Sequence, residues 1–102
     1  NNKILSLYVN MKLPVSAGWS AGKWSSSYNA DSEAQKACIA ASSEGGCEKR
    51  ISVSLTNCMA LAIGENGAGW NDGMTKELTR NSAINNCEKF TENCKVVFSY
   101  CK

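Results

Sequence analysis

The sequence predicts a small, disulfide-rich α+β domain with mostly antiparallel strands and two helices. Its 102 residues include six cysteines and no histidine, and an even number of cysteines in a short chain is typical of a disulfide framework. Several segments alternate apolar and polar residues, as half-buried strands do. The same order of segments recurs after about 45–50 residues. We therefore expect two β-β-α-β repeats within a single domain spanning residues 1–102.

The chain begins with a predicted strand over residues 5–13, where apolar side chains at odd positions alternate with mainly polar ones. Pro14 breaks or borders this strand, because proline cannot donate a backbone hydrogen bond to a sheet. Residues 15–28 contain two tryptophans and two glycines. They predict a return strand or an irregular ribbon.

The first helix is predicted to begin near Asp31 or Ser32, because Ser32 followed by Gln35 fits a capping box. It is expected to end at Gly45-Gly46, since glycine favours the end of a helix. Four small residues recur at helical spacing and predict the buried face: Ala34, Ala37, Cys38 and Ala41. The alternation over residues 51–55 then predicts another half-buried strand.

The second half opens with a predicted hairpin. Residues 58–65 form its first strand and residues 68–73 its return strand. Asn66-Gly67 lies between them, and this pair is a strong turn signal because both residues accept positive φ.

The second helix is expected to start after Thr75, a plausible N-cap residue, and to run to about Phe90. Its predicted apolar face consists of Ala83, Ile84, Cys87 and Phe90. The last strand follows, with three side chains expected on one face: Val96, Phe98 and Tyr100.

The six cysteines favour disulfides over a redox, nucleophilic or metal site. They contain no Cys-x-x-Cys spacing, and the chain has no histidine to activate a thiol. Six cysteines allow 15 pairings, and the internal repeat selects one of them. It predicts Cys38–Cys47 and Cys87–Cys94 within the two halves, and Cys58–Cys101 between two strand ends. We expect no metal and no cofactor.

The charge, the hydropathy and the cysteines of the chain limit the classes of partner and of cellular compartment that we expect. The net charge is +2, with eleven basic residues dispersed among nine acidic ones, so we predict no nucleic-acid partner. No apolar run approaches the roughly 20 residues that span a bilayer. Disulfides favour an oxidising compartment, and we expect a periplasmic or secreted protein whose export signal precedes Asn1. The composition also allows a homodimer.

Aromatic residues in glycine- and serine-rich segments are the candidate contacts for a protein partner, because tryptophan is enriched at interface hot spots. The predicted partner-binding residues are Trp19, Trp24, Trp70, Asn71, Asp72 and Met74. A carbohydrate platform is a second possible role for the tryptophans. Burial over the sheet is the alternative to both.

Five carboxylates are candidates for a two-acid hydrolase site: Asp31, Glu33, Glu65, Asp72 and Glu77. Nothing in their spacing places two of them in a cleft, and most lie at predicted helix starts, where acids favour the helix dipole. We therefore predict that the protein is not an enzyme, and a small hydrolase using carboxylates stays an alternative.

The second half of the chain resembles an exported bacterial domain classed as a domain of unknown function. The resemblance rests on the Cys-x-Ala-Leu-Ala motif within residues 57–64, the glycine-rich segment 67–70, a helix ending in Cys87, and the Cys-Lys-Val-Val motif at 94–97. It covers roughly residues 24–101. It implies an exported bacterial protein, and its motifs are structural rather than catalytic.

In size, compartment and composition the chain is also similar to the periplasmic immunity proteins of type VI secretion amidase effectors. That similarity implies a protein that neutralises a cell-wall-degrading enzyme. We therefore expect an inhibitor that binds a bacterial effector or hydrolase. A secreted virulence factor acting on host cells is the alternative from a different functional class.

Overall fold

The computed structural model describes residues 4–42, 45–54 and 58–101, which form six strands and two helices. The elements in chain order are β1 (Ile4–Asn10), β2 (Ser16–Trp24), α1 (Ser27–Ala41), β3 (Cys47–Ser54), β4 (Cys58–Ile63), β5 (Ala68–Gly73), α2 (Lys76–Glu88) and β6 (Lys95–Cys101). All strand pairs are antiparallel, so the predicted α+β class is confirmed.

The chain divides into two compact units, Asn1–Leu55 and Thr56–Lys102. Each unit has the order β-β-α-β and one three-stranded sheet. The strand orders are β2-β1-β3 and β5-β4-β6, so the first strand of each unit is central. The predicted β-β-α-β repeat is therefore present in the fold.

In the first unit, β1 separates two kinds of side chain onto the two faces of the sheet. Leu5, Leu7 and Val9 are fully buried on the face away from α1. Ser6 and Tyr8 alternate with them and lie on the face that α1 covers. Leu7 pairs with Trp19 of β2, so this tryptophan shares the face away from the helix.

The second unit repeats this plan with smaller residues. Leu61 of β4 pairs with Trp70 of β5, as Leu7 pairs with Trp19. The helix-facing side of the sheet forms a compact core of small side chains, which comprises Ala60, Ala62, Ala83 and Cys87. Small residues allow a helix to approach a sheet closely, because little side-chain volume separates the two backbones.

Both sheets contain a β-bulge at the same place in the repeat. The register shifts between Leu7 and Tyr8 against β3, and between Leu61 and Ala62 against β6. In the second unit the bulge places an extra residue, Val97, between Val96 and Phe98. Val96 therefore packs on the helix-side core, whereas Phe98 pairs with Leu61 on the opposite face. The prediction that Val96, Phe98 and Tyr100 share one face was wrong, because a bulge breaks the period of two.

The boundaries of α1 differ from the prediction at both ends. The helix begins at Ser27 with Ser26 as N-cap, so Ser32 lies within the helix and forms no capping box. It ends at Ala41, before the predicted glycines. There the Ser42 hydroxyl donates to the Cys38 carbonyl at 2.7 Å and satisfies the last turn without a glycine cap.

The buried face of α1 also differs from the prediction. Ala34 and Cys38 are buried as expected, but Ala37 and Ala41 are exposed and Ala30 takes their place. Residues at i, i+4 and i+8 therefore meet the sheet, because α1 presents a narrow stripe to it rather than a broad face.

Two turns also depart from their predicted form. β1 ends at Asn10, whose side-chain oxygen accepts a hydrogen bond from the Lys12 backbone N–H at 3.0 Å. This local turn leaves Met11 and Leu13 exposed rather than on a strand face. The β4–β5 hairpin is closed by a hydrogen bond from Gly64 N–H to the Gly67 carbonyl at 2.9 Å. Neither Asn66 nor Gly67 has positive φ, because a four-residue loop needs no such backbone.

The second helix begins as predicted, since the Thr75 hydroxyl accepts a hydrogen bond from Leu78 N–H at 3.2 Å. It ends at Glu88, so Phe90 lies beyond the helix and is exposed rather than part of the apolar face. The predicted end of the third strand, Leu55, lies outside the described residues.

The three predicted disulfides are confirmed as Cys38–Cys47, Cys58–Cys101 and Cys87–Cys94. The first lies in the first unit and the other two lie in the second. Within residues 4–42, 45–54 and 58–101, neither helix has the length and apolar character needed to cross a membrane.

Candidate functional site

Strand β5 and the segment that joins it to α2 carry four of the six predicted partner-binding residues. We define the β5–α2 corner as Trp70, Asn71, Asp72, Met74 and Leu78. Met74 is 81% exposed and Leu78 is 60% exposed, although both are large and apolar. Trp70 and Asn71 are half-buried, whereas the Asp72 side chain is exposed. The corner therefore presents apolar side chains and one carboxylate to solvent.

Local hydrogen bonds hold the backbone of this corner in one conformation. The Thr75 hydroxyl accepts from Leu78 N–H at 3.2 Å, and the Thr79 hydroxyl donates to the Thr75 carbonyl at 2.6 Å. The Asn86 side chain donates to the Trp70 carbonyl at 3.1 Å. A Cβ at Gly73 would lie 2.6 Å from the Thr79 hydroxyl. The exposed side chains of Met74 and Leu78 therefore project from a backbone that hydrogen bonds hold in place.

The other two predicted residues, Trp19 and Trp24, lie on opposite faces of the first sheet. Trp19 pairs with Leu7 on the face away from α1. Trp24 is half-buried, and its indole N–H donates to the Glu33 carboxylate of α1. Hence the two tryptophans do not form a single aromatic surface, and Trp24 links β2 to the helix.

A polar cluster surrounds Asp31 of α1, and it was not among the features predicted from the sequence. The hydroxyl of Ser6, which is fully buried, donates to one carboxylate oxygen of Asp31. The Lys49 ammonium lies 3.2 Å from the other carboxylate oxygen of Asp31. The Ser52 hydroxyl is 3.3 Å from that of Ser6. Asp31 was expected only to favour the dipole at the start of a helix. In the structure its carboxylate links α1 to β1 and β3.

The pKa of Asp31 is lowered from its ordinary value of 3.8. Partial desolvation alone would raise the pKa of this carboxyl, but hydrogen bonds from Ser6, Ser52 and Lys49, with the charge of Lys49, outweigh that cost. Asp31 is therefore ionised at neutral pH. Ser6 is one of the polar residues that alternate along β1, and only the tertiary structure shows that it meets Asp31 of α1.

A groove of about 260 Å³ lies beside this cluster. Its lining residues are Tyr8, Tyr28, Asp31, Ser32 and Gln35. We call it the tyrosine groove. Tyr28 is 79% exposed at its mouth. The tyrosine groove lies within the first unit, and none of the predicted partner-binding residues lines it.

Two of the five candidate hydrolase carboxylates lie in α1, and they have separate partners. Asp31 is bonded to β1 and β3, whereas Glu33 accepts from Ser20 and Trp24 of β2. Residues two apart on a helix do not face each other. The fold uses each of these acids to attach the helix to a different strand.

All six cysteines are paired in disulfides. In the part of the chain that the structure describes, no group of three or more acidic or cysteine side chains is placed to hold a metal ion.

A family model described as a domain of unknown function (DUF4189) matches residues 11–101. The match includes residues 11–23, which the resemblance noted from the sequence did not cover. No curated protein and no solved structure shows a significant match to the chain.

Proposed function

The chain belongs to the DUF4189 family, a domain of unknown function, and from this premise we propose that it binds and inhibits a protein partner without catalysing a reaction. The most concrete form of the proposal is an immunity protein that neutralises a cell-wall-degrading effector. The three disulfides support an oxidising compartment, so we place the protein in the periplasm or outside the cell.

The observation that carries the proposal is the exposure of Met74 and Leu78 on the β5–α2 corner. Burying large apolar side chains stabilises a complex by roughly 25 cal/mol per Å² of apolar surface removed from water. Methionine adapts its shape to a partner because it is unbranched and has three rotatable bonds. Asp72 lies two positions before Met74 in the chain, and its exposed carboxylate offers a hydrogen-bond acceptor.

The rigidity of the corner supports the same role. The Thr75 cap and the Asn86 hydrogen bond fix the backbone before any partner arrives. The Cys87–Cys94 and Cys58–Cys101 disulfides constrain the unit that carries the corner. Preorganisation lowers the entropy cost of binding, as an inhibitor of an enzyme cleft requires.

The test begins with peptidoglycan amidases and muramidases as candidate partners, with affinity measured by titration calorimetry. Met74→Ala and Leu78→Ala are expected to weaken binding by about 2 kcal/mol each if they are hot spots. Because both side chains are exposed, the melting temperature should change little. Trp70→Ala and Asp72→Ala extend the same series along the corner.

Phe90→Ala is the matched control, since Phe90 is also apolar and 74% exposed in the same unit but lies beyond the other end of α2. It should leave affinity unchanged. Equal losses for Phe90→Ala and the corner variants would contradict the assignment of the interface. Turnover of peptidoglycan by the purified protein would contradict the proposal that it is not an enzyme.

A further inference from the structure

We propose that the tyrosine groove of the first unit binds a neutral saccharide ring. This site is separate from the β5–α2 corner and does not depend on the protein-binding function. The inference rests on the size of the groove, the types of side chain that line it, the charge balance at Asp31, and a comparison with the second unit.

The volume of the groove suits one sugar ring. Pockets for drug-sized ligands usually begin at about 300 Å³, and the tyrosine groove is slightly smaller at about 260 Å³. Tyr8 and Tyr28 contribute flat apolar rings with a polar tip. Such rings suit the apolar face of a pyranose, which combines ring C–H groups with peripheral hydroxyls.

The polar lining can recognise hydroxyl groups. Asp31 receives hydrogen bonds from Ser6, Ser52 and Lys49. A carboxylate has about four acceptor sites, so one remains for a ligand hydroxyl. Ser32 and Gln35 add groups that both donate and accept. One sugar hydroxyl could therefore donate to Asp31 while a neighbouring hydroxyl binds Ser32 or Gln35.

The charges in the groove favour a neutral ligand over an ion. The Lys49 ammonium lies 3.2 Å from Asp31 and is itself half-exposed. It would repel a cationic ligand that approached the tyrosine rings, so a quaternary ammonium is disfavoured. The ionised Asp31 carboxylate would repel an anion. A neutral ring with several hydroxyls is repelled neither by the Lys49 ammonium nor by the Asp31 carboxylate.

Comparison with the second unit shows that the repeated scaffold does not require the groove. Ala34 and Cys38 of α1 correspond to Ala83 and Cys87 of α2, which sets an offset of about 49 residues between the helices. At the positions of Tyr28, Asp31 and Gln35, the second helix carries Glu77, Arg80 and Ile84. Tyr8 and Ala62 are also equivalent, because each pairs with a helix-contacting glycine.

The second unit thus forms the same β-β-α-β fold with a charged surface at this place, lined by Lys76, Glu77, Arg80 and Asn81. The two tyrosines are consequently not needed to build the repeated fold, and Asp31, which also links α1 to β1 and β3, has no acidic counterpart in the second unit. Their combination in one groove is a property of the first unit alone, as expected for a binding site.

The experiment is a titration of the ¹⁵N-labelled full-length protein with methyl β-glucopyranoside, methyl α-mannopyranoside and N-acetylglucosamine. We expect saturable chemical-shift changes at Tyr8 and over residues 28–35 with at least one of these probes. The expected Kd is about millimolar, because the ligand is small and the groove is open. Choline chloride should cause no such changes.

Tyr28→Ala and Gln35→Ala test the site without disturbing the fold, because both side chains are exposed. Each should weaken saccharide binding about fivefold or more, with the melting temperature unchanged. Phe90→Ala removes an equally exposed aromatic ring in the second unit and should leave binding unchanged.

Three results would overturn the proposal. The first is that no probe gives a saturable shift at residues 28–35. The second is that choline binds there as well as the sugars do. The third is that Tyr28→Ala and Phe90→Ala reduce binding equally, which would indicate general association of sugars with exposed rings.

Discussion

At the scale of single residues, the fold depends on positions where no side chain can be accommodated. A Cβ on Gly18 would overlap the backbone of Ala34 and Cys38 in α1. A Cβ on Gly69 would meet Cys87 N and lie 2.7 Å from the Ala83 carbonyl oxygen in α2. The two glycines occupy the same place in the repeat and let each helix touch its sheet backbone.

Gly18→Ala and Gly69→Ala should each destabilise the protein by about 3 kcal/mol, because the helix must move away from the sheet to admit the methyl group. Urea unfolding at equilibrium measures the effect. Gly45→Ala is the matched control, since nothing lies within 4 Å of the added Cβ. It should be neutral or stabilise by about 0.5 kcal/mol. A neutral Gly18→Ala would show that the contact is looser than described.

Asp31 should make stability depend on acid pH. Its pKa is lowered in the folded protein from the ordinary 3.8, so its contribution is complete above that value. The contribution is lost as the pH falls through the folded pKa, because the unfolded state binds the proton first. Unfolding free energies measured from pH 6 to 2 should fall less steeply for Asp31→Asn. Ser6→Ala should raise the pKa of Asp31 in an NMR titration, and an unchanged value would contradict this account.

At the scale of elements, the two helices begin in different ways although they occupy the same place in the repeat. Thr75 caps α2 with its hydroxyl on Leu78 N–H. Ser26, the N-cap of α1, makes no side-chain cap hydrogen bond. The start of α1 is secured from its second turn, where Asp31 and Glu33 receive hydrogen bonds from the strands.

Thr75→Ala should therefore cost about 1 kcal/mol, the usual value of an N-cap hydrogen bond. Ser26→Ala is the paired control and should cost less than about 0.5 kcal/mol. Thermal and urea unfolding of the two full-length variants measure the difference. Equal losses would indicate that both residues contribute through their backbone conformation rather than through the side-chain hydrogen bond.

At the scale of the whole molecule, one plan is used twice with different means of stabilisation. Both units share the β-β-α-β order, the central first strand and the bulge in the third strand's pairing. The first unit has one disulfide and the Asp31 cluster. The second has two disulfides and a core of alanines. The Asp31 cluster of the first unit joins the helix to two strands. The additional disulfide of the second unit, Cys58–Cys101, joins two strands instead.

Removing the Cys58–Cys101 disulfide should destabilise the protein most. This bridge spans 43 residues, whereas Cys38–Cys47 spans 9 and Cys87–Cys94 spans 7. The chain-entropy relation gives about 4 kcal/mol for the long loop and about 2.5 kcal/mol for each short one. Double alanine variants of each pair, unfolded in urea, test this order. A larger loss from either local bridge would show that native packing, rather than loop length, decides the effect.

Much of the fold followed from local patterns. The alternation in β1 and β4, the Asn66-Gly67 turn signal, the Thr75 cap and the cysteine repeat predicted the α+β class, the second helix start and all three disulfides. These features depend on residues close in sequence or on a repeat that the sequence displays directly. The candidate partner residues 70–74 were also found together, because they belong to one continuous segment.

Other features were decided only by tertiary structure. The bulge that separates Val96 from Phe98 depends on the register with β4, which no local pattern encodes. Strand alternation alone puts Trp19 and Trp24 on opposite faces of β2, but the tertiary structure decides that α1 covers the face of Trp24. The tyrosine groove requires β1 and α1 to meet, although Tyr8 and Tyr28 lie far apart in sequence. By itself the sequence determined periodicity, caps and crosslinks, which are local or repeated. The fold decided which polar groups meet, because those contacts join side chains of different strands and helices, from Trp24 and Glu33 to Ser6 and Asp31.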